Sequence, residues 1–202
     1  MKIKKVLFIV HNLKFGGVQK ITVELARNHA LLGNEVHILC LVKGKIMYEY
    51  QCKIVKVIDV DFDCQVHTLN LVDFLLRRPL FAIYYALYKT LLRHIFSESE
   101  FFFSKPIFKP QILDVLNKLE SKNKFDAVFL RGSRVIKRTW WLSRKEAVFS
   151  IHLPYHLPTQ TKGIVGRYNH WLTSCLFKDK TIFAVSEYIA TALRDSLSFQ
   201  NV

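Results

Sequence analysis

Two consecutive glycines, Gly16 and Gly17, lie between a hydrophobic run and an amphipathic segment near the start of the chain. The run at residues 6–10 predicts a buried strand, and the segment that begins at Val18 predicts a helix. A glycine turn at this position presents backbone N–H groups at the start of a helix, where they can bind a phosphate. The missing side chains also let a ligand approach the backbone closely. The pattern therefore predicts an anion-binding turn.

The turn lacks the additional residues of the two best-known phosphate-binding motifs. After the first strand there is no G-x-G-x-x-G fingerprint, and no glycine loop ends in Gly-Lys-Ser/Thr. We therefore do not expect a conventional Rossmann dehydrogenase or a P-loop nucleotidase. A pair of glycines also occurs as a simple turn that binds nothing. On the motif alone, both interpretations stay open.

The elements that must position this turn alternate between strand and helix. Gly33 is a candidate helix C-cap, and the hydrophobic run after it completes a strand–helix–strand unit. Near-continuous hydrophobic strands separated by helical patterns are typical of a parallel sheet covered on both faces. We predict one doubly wound, mostly parallel α/β domain of Rossmann type over residues 1–202. The predicted strands are 6–10, 35–42, 53–60, 126–131, 147–151 and 181–185, and the predicted helices are 18–31, 110–122 and 186–193.

The composition limits the class of protein and its partners. A chain of 202 residues that is 50% hydrophobic can bury one full core, and its first apolar run is too short for a secretory signal. Its 30 Lys and Arg against 16 Asp and Glu give a formal charge of +14, which favours nucleic acid, anionic lipid or phosphorylated substrates. The 4 cysteines show neither a C-x-x-C pair nor metal-ligand spacing. We expect reduced thiols and no metal site.

A helical insertion is predicted at about residues 69–108, where a segment rich in Phe, Tyr and Leu also carries basic residues. Those charges interrupt any apolar run long enough to span a bilayer. Two interpretations stay open for residues 80–92: a core helix pair with a basic edge, or an amphipathic helix in the membrane interface. In the second case the cations contact anionic lipid. The candidate membrane contacts are Arg77, Arg78, Lys89 and Arg93.

Four segments, taken in order, resemble the N-terminal domain of the family-4 glycosyltransferases, which are retaining enzymes of GT-B architecture. The segments span residues 5–19, 25–36, 148–152 and 183–189. The resemblance covers nearly the whole chain except residues 64–108. It implies an acceptor-side domain, and it implies that the C-terminal donor-binding domain with its Glu-x7-Glu signature is absent. The chain would then be a fragment, a split-gene product, or a subunit whose partner supplies the other half.

The resemblance also assigns roles to individual residues. Gly16 and Gly17 match the glycine loop that approaches the diphosphate of the nucleotide-sugar donor. His152 matches the active-site histidine beside the transferred sugar, whereas without the resemblance a single histidine after a strand is more often a hydrogen-bonded loop residue. One departure is Gln19-Lys20, where the family often has an acidic residue. Neither a cofactor nor a metal is implied, because the nucleotide sugar is a substrate.

Loops after two predicted strands supply candidate contacts to an anionic acceptor, such as a phosphorylated glycolipid. Both loops open at the carboxyl edge of the predicted sheet, where ligands bind in doubly wound folds. Solvated loops without a ligand are the alternative. The candidate acceptor contacts are Arg131, Ser133, Arg134, His156, Gln160 and Lys162.

The function implied is retaining transfer of a sugar from a nucleotide sugar to a glycan or glycolipid acceptor, in the synthesis of cell-surface polysaccharide or lipopolysaccharide. We expect a cytoplasmic protein, peripheral on the inner face of the membrane. Because most groups that stabilise the leaving diphosphate belong to the donor-binding domain, we expect this chain alone to be inactive. The alternatives are a non-catalytic basic domain that binds nucleic acid and a subunit that completes a separate catalytic chain. We do not expect nucleic acid, since no RNA-recognition or helix-turn-helix signature is present.

Overall fold

The computed structural model describes residues 4–42, 46–47, 55–59, 79–87, 100–142, 146–152, 171–172, 174–175, 177 and 180–197. Within these ranges strands and helices follow one another along the chain. The strands are β1 (Lys5–Val10), β2 (Glu35–Cys40), β3 (Val55–Asp59), β4 (Ala127–Arg131), β5 (Ala147–Ile151) and β6 (Thr181–Ala184). The helices are α1 (Gly17–Leu31), α2 (Pro79–Leu87), α3 (Glu100–Leu119), α4 (Ser133–Thr139) and α5 (Glu187–Leu197).

The six strands form one parallel sheet in the order β3-β2-β1-β4-β5-β6. The chain proceeds from β1 outward to β3 and then returns to the other side of β1 to begin β4. This order defines a doubly wound Rossmann-type fold, so the predicted α/β class is confirmed. The change of direction creates a topological switch point between β1 and β4, which is where ligands bind in open α/β sheets.

Strand β1 lies inside the sheet with all of its side chains buried. Because side chains alternate along a strand, Phe8 packs on one face with Val23 and Ala26 of α1. Leu7 and Ile9 pack on the opposite face, in a core that includes residues of α3, α4 and α5. Helices therefore cover both faces, as the near-continuous hydrophobic strands predicted.

Helix α1 ends in the glycine C-cap that the sequence predicted. Gly33 has φ +81°, a left-handed conformation that glycine adopts without steric cost. Its N–H donates to the carbonyl of Ala30 at 2.9 Å, and the N–H of Asn34 donates to the carbonyl of His29 at 3.2 Å. The two bonds form a Schellman motif, which turns the chain into β2.

Helix α5 begins as the sequence predicted, with Ser186 as its N-cap. The Ser186 hydroxyl accepts the N–H of Ile189 at 3.4 Å, three residues into the helix as expected for a serine cap. The first residue of the helix is Glu187, whose carboxylate suits the positive end of the helix dipole.

The predicted start of the helix at residue 110 is wrong, because α3 begins at Glu100 and continues through Pro106 and Pro110. Prolines usually mark a helix start or break, and the sequence interpretation gave Pro110 that role. Tertiary contacts account for the longer helix: Lys105 Nζ lies 4.9 Å from the ring centroid of Trp140, and Lys109 Nζ lies 5.8 Å from that of Trp141. These cation–π contacts attach the first half of α3 to the end of α4.

Helix α2 lies within the segment for which two interpretations were open. It presents Leu80, Ile83, Tyr84 and Leu87 at exposed fractions of 81, 52, 39 and 51%. This spacing forms one helical face, which we call the α2 stripe. Among the described helices, none combines the length and apolar character needed to cross a bilayer. The basic residues predicted as membrane contacts, Arg77, Arg78, Lys89 and Arg93, lie outside the described residues.

Candidate functional site

The carboxyl ends of β1, β4 and β5 lie next to one another in the sheet. His11 follows β1, Gly132 follows β4 and His152 follows β5. The register of the parallel strands sets how far each strand extends toward this edge. Arg131, the last residue of β4, pairs with Ser150 of β5. The fold therefore brings three loop starts, distant in sequence, to one edge of the sheet. We call this edge the carboxyl edge.

The glycine turn at this edge starts α1. Gly16 is the N-cap, with extended backbone at φ 161°, and as a glycine it supplies no side chain to cap the helix. The first turn of the helix contains no acidic residue, so its positive dipole end is not neutralised locally. A Cβ atom on Gly17 would meet no described atom within 4 Å, whereas one on Gly16 would collide with the side-chain amide of Gln19. The open approach is therefore over Gly17.

His11 belongs to this edge, and the sequence analysis missed it. It is half-buried, and a long hydrogen bond of 3.5 Å joins its Nδ1 to Nη1 of Arg138 on α4. Burial lowers the pKa of His11 to about 4, with further lowering by the positive charges of Arg138, Arg134 and Lys14. His11 is therefore neutral at pH 7 in positively charged surroundings. Its position directly after a strand and the four-residue spacing of the two arginines were the available sequence signals.

The turn after β4 leads directly into two of the predicted residues. Gly132 has φ +90° and donates its N–H to the carbonyl of Ser150 at 3.0 Å, so the turn is tied to β5. Ser133 and Arg134, predicted as acceptor contacts, are exposed at the start of α4. Both are placed at the carboxyl edge together with the glycine turn.

Arg131, also predicted as an acceptor contact, is only 4% exposed. Its Nη1 donates to Ser150 Oγ at 2.8 Å, and its Nε lies 3.4 Å from Thr22 Oγ1 on α1. Burial lowers the pKa of the guanidinium, which still remains a cation at neutral pH. The side chain thus contacts α1 and β5 in the protein interior.

His152, the predicted catalytic residue, lies at the end of this buried group. Its Nε2 is 2.9 Å from Ser150 Oγ. The two residues share a face because His152 directly follows β5 and lies two positions after Ser150. Burial, and secondarily the charge of Arg131, lowers the pKa of His152 to about 4. At neutral pH His152 is an uncharged imidazole that can donate one hydrogen bond and accept another.

The remaining predicted acceptor contacts, His156, Gln160 and Lys162, lie outside the described residues. In the described part of the chain, no group of three or more His, Cys, Asp or Glu residues is arranged to hold a metal ion. What the described edge offers is backbone N–H groups, arginines and two neutral histidines. These groups suit an anionic ligand with hydroxyl or phosphate oxygens.

The sequence matches no family model and no curated protein. The assignment of a function therefore depends on the geometry of the carboxyl edge and on the four resembling segments.

Proposed function

We propose that this chain is the acceptor-side domain of a retaining glycosyltransferase of GT-B architecture. Such an enzyme transfers a sugar from a nucleotide-sugar donor to a glycan or glycolipid, here in the synthesis of cell-surface polysaccharide or lipopolysaccharide. The main support is that the first turn of α1, which begins at Gly17 and contains no acidic residue, and a neutral His152 both lie at the carboxyl edge of a Rossmann-type sheet. The resembling segments contain both of these residues.

In this proposal the start of α1 contacts the donor diphosphate. Backbone N–H groups and the helix dipole favour an anion there, and no described atom lies within 4 Å of a Cβ atom placed on Gly17. The pKa of His11 is lowered mainly by burial and additionally by the positive charges of Arg138, Arg134 and Lys14, which lie beside the same turn. Fixed positive charge is what a departing nucleoside diphosphate needs, because negative charge develops on it during transfer.

The acceptor contacts the other side of the carboxyl edge. Arg134 and Ser133 are exposed there, and an arginine binds phosphate or carboxylate oxygens through paired N–H groups. An anionic acceptor, such as a phosphorylated glycolipid, fits this side. His152 lies on the neighbouring strand end, beside the sugar that is transferred.

We further propose that the protein is peripheral on the inner face of the cytoplasmic membrane. The α2 stripe is a continuous exposed apolar face on a helix, and the chain carries a formal charge of +14. An apolar helical face together with excess positive charge is the combination that binds anionic membrane surfaces. A lipid-linked acceptor would be met at that surface.

A nucleotide titration followed by ¹H–¹⁵N NMR tests the donor site. We expect UDP and GDP to shift the amide signals of Gly17, Val18 and Gln19, and we expect uridine and guanosine to leave these signals in place because they lack the diphosphate. Asn28→Ala, an exposed change at the other end of α1, serves as the matched control and should bind as the unsubstituted chain does. Diphosphate-dependent shifts confined to other parts of the chain would contradict the proposal.

A further inference from the structure

A continuous group of buried polar side chains connects α1, β4 and β5 behind the carboxyl edge. Thr22, Arg131 and Ser150 are 0, 4 and 1% exposed. Thr22 Oγ1 donates to the carbonyl of Val18 at 2.7 Å, so toward Arg131 Nε, at 3.4 Å, this oxygen is an acceptor. Arg131 Nη1 donates to Ser150 Oγ, and Ser150 Oγ contacts His152 Nε2.

The positions of the protons follow from the chemistry of these groups. A guanidinium can only donate, so Ser150 Oγ accepts from Arg131. The Ser150 hydroxyl then needs an acceptor for its own proton, because a buried polar hydrogen without a partner costs free energy. Among the described residues His152 Nε2 is the one acceptor in contact with that hydroxyl. Nε2 must therefore be bare.

A proton on Nε2 would create a conflict in this arrangement. Ser150 Oγ would face two donors, Arg131 and His152, and its own proton would have no acceptor. The doubly protonated imidazolium carries the same Nε2 proton, so the argument excludes it as well as the Nε2–H tautomer. The remaining form is the neutral ring with its proton on Nδ1.

We propose that Arg131 and Ser150 are positioning residues that hold His152 as the neutral Nδ1–H tautomer, so that its second ring nitrogen offers a hydrogen-bond donor to a substrate oxygen. Nδ1 makes no hydrogen bond to the described part of the chain, and His152 is only half-buried. The use of this donor on a sugar hydroxyl or phosphate oxygen rests on the proposed function. The tautomer itself does not depend on it.

The assignment separates two chemical roles for His152. An imidazole whose accessible nitrogen carries the proton can donate to a substrate oxygen, but that nitrogen cannot take a proton from an acceptor hydroxyl. His152 is therefore a hydrogen-bond donor and not a general base. Arg131, previously a candidate acceptor contact, acts from the interior through Ser150.

Long-range ¹H–¹⁵N NMR of the labelled 202-residue chain at pH 7 reads the tautomer directly, because protonated and bare ring nitrogens have well-separated ¹⁵N shifts. His152→Gln identifies the signals by their loss. We expect a protonated Nδ1 and a bare Nε2, and we expect the ring to stay neutral down to about pH 5. A protonated Nε2, or a charged ring at pH 7, in the unsubstituted chain would overturn the proposal, and the measurement needs no substrate.

Substitutions at Ser150 then test its positioning role. In Ser150→Ala the Nε2 nitrogen loses its donor, so we expect an Nε2–H signal to appear; Ser150→Thr keeps a hydroxyl and should restore the Nδ1–H form. Thr139→Val removes a different buried hydroxyl, one that donates to Val135 and does not touch His152, and should leave the spectrum unchanged. An unaltered tautomer in folded Ser150→Ala would reject the role of Ser150. If the unsubstituted chain shows the Nδ1–H tautomer but binds no nucleotide, the result would contradict the proposed function and leave the tautomer assignment intact.

Discussion

A Cβ atom placed on Gly132 would lie 3.7 Å from Cγ1 of Val18, so the turn after β4 packs against the first turn of α1. The contact joins the two chain segments that flank the switch point of the sheet. A methyl group at position 132 would fit into the available space, but an alanine would not easily adopt the backbone conformation of Gly132. Gly132 has φ +90°, a region that residues with a side chain rarely adopt.

Gly132→Ala should therefore destabilise the protein through backbone strain. We expect the free energy of unfolding to fall by about 1–2 kcal/mol, measured by urea denaturation followed by circular dichroism. Ile136 and Val135 of α4, whose N–H groups both lie against the Gly132 carbonyl at 3.1 Å, should show faster amide exchange. A stability equal to that of the unsubstituted protein would mean that this φ is not required.

Gly17→Ala should separate stability from binding. Gly17 is the first residue of α1 and its added methyl would meet open space, so we expect stabilisation of about 0.4–1 kcal/mol from reduced freedom of the unfolded chain. The same methyl blocks close approach to the helix start. We expect affinity for UDP or GDP to fall about fivefold, equivalent to roughly 1 kcal/mol.

Calorimetric titration and thermal unfolding of the same Gly17→Ala sample check both parts of this prediction. Asn28→Ala on the same helix is the control for binding. Unchanged nucleotide affinity in a stabilised Gly17→Ala protein would place the anion elsewhere.

Stability should decrease as the pH falls from 6.5 toward 4. Both His11 and His152 have a pKa of about 4 in the folded protein against 6.5 in the unfolded chain. Between these values the unfolded chain binds more protons, so protonation favours unfolding, and the full stabilisation is present above pH 6.5. Allowing for solvent screening at half-buried sites, we expect the pair to lose about 2 kcal/mol between pH 7 and pH 5.

Urea denaturation at several pH values measures this loss. The double variant His11→Gln/His152→Gln should show a smaller decrease over the same interval, because glutamine does not titrate. Carboxylates contribute equally to both proteins, so the difference between the two curves isolates the histidines. Parallel curves would show that neither histidine is held neutral by the fold.

Binding to anionic vesicles should depend on the α2 stripe. Leu80→Ser combined with Leu87→Ser removes two exposed apolar side chains from one helical face, and we expect the partition coefficient onto phosphatidylglycerol-containing vesicles to fall by about tenfold or more. Sedimentation with the vesicles measures it. We expect little effect on the fold, since Leu80 is 81% and Leu87 51% exposed.

Leu31→Ser combined with Leu32→Ser provides the matched control for the vesicle experiment. These leucines are also strongly exposed, at 69 and 72%, but they lie at the end of α1. Their replacement should leave binding unchanged. Equal losses in the two double variants would indicate nonspecific hydrophobic adsorption, and no loss in either would remove α2 from the membrane proposal.

The sheet could be predicted from the sequence because its strands are short, continuously apolar and separated by helical patterns. Gly33 and Ser186 were identifiable because a cap depends on local conformation. The start of α3 could not be identified from the sequence. Its prolines locally indicate a helix boundary, whereas the observed helix is held by contacts of Lys105 and Lys109 with tryptophans far along the chain.

The candidate site was only partly predictable for the same reason. The ends of β1, β4 and β5, at Val10, Arg131 and Ile151, could be recognised in the sequence, and the parallel sheet placed them at one edge. The burial of Arg131 could not be foreseen, because it depends on the register between β4 and β5 and on Thr22 of α1. A basic residue at the end of a predicted strand suggests contact with solvent or a ligand, whereas the partners of Arg131 are the interior hydroxyls of Thr22 and Ser150.

The contact between Thr22 and Arg131 makes the two halves of the carboxyl edge mechanically dependent. Thr22 lies on the helix whose first turn carries Gly17, so any rigid-body movement of that helix displaces the oxygen against which the guanidinium rests. Through the contacts of Arg131 with Ser150 and of Ser150 with His152, such a displacement would reach the imidazole. We therefore expect a ligand at the start of α1 to alter the surroundings of the His152 ring without any rearrangement of the sheet.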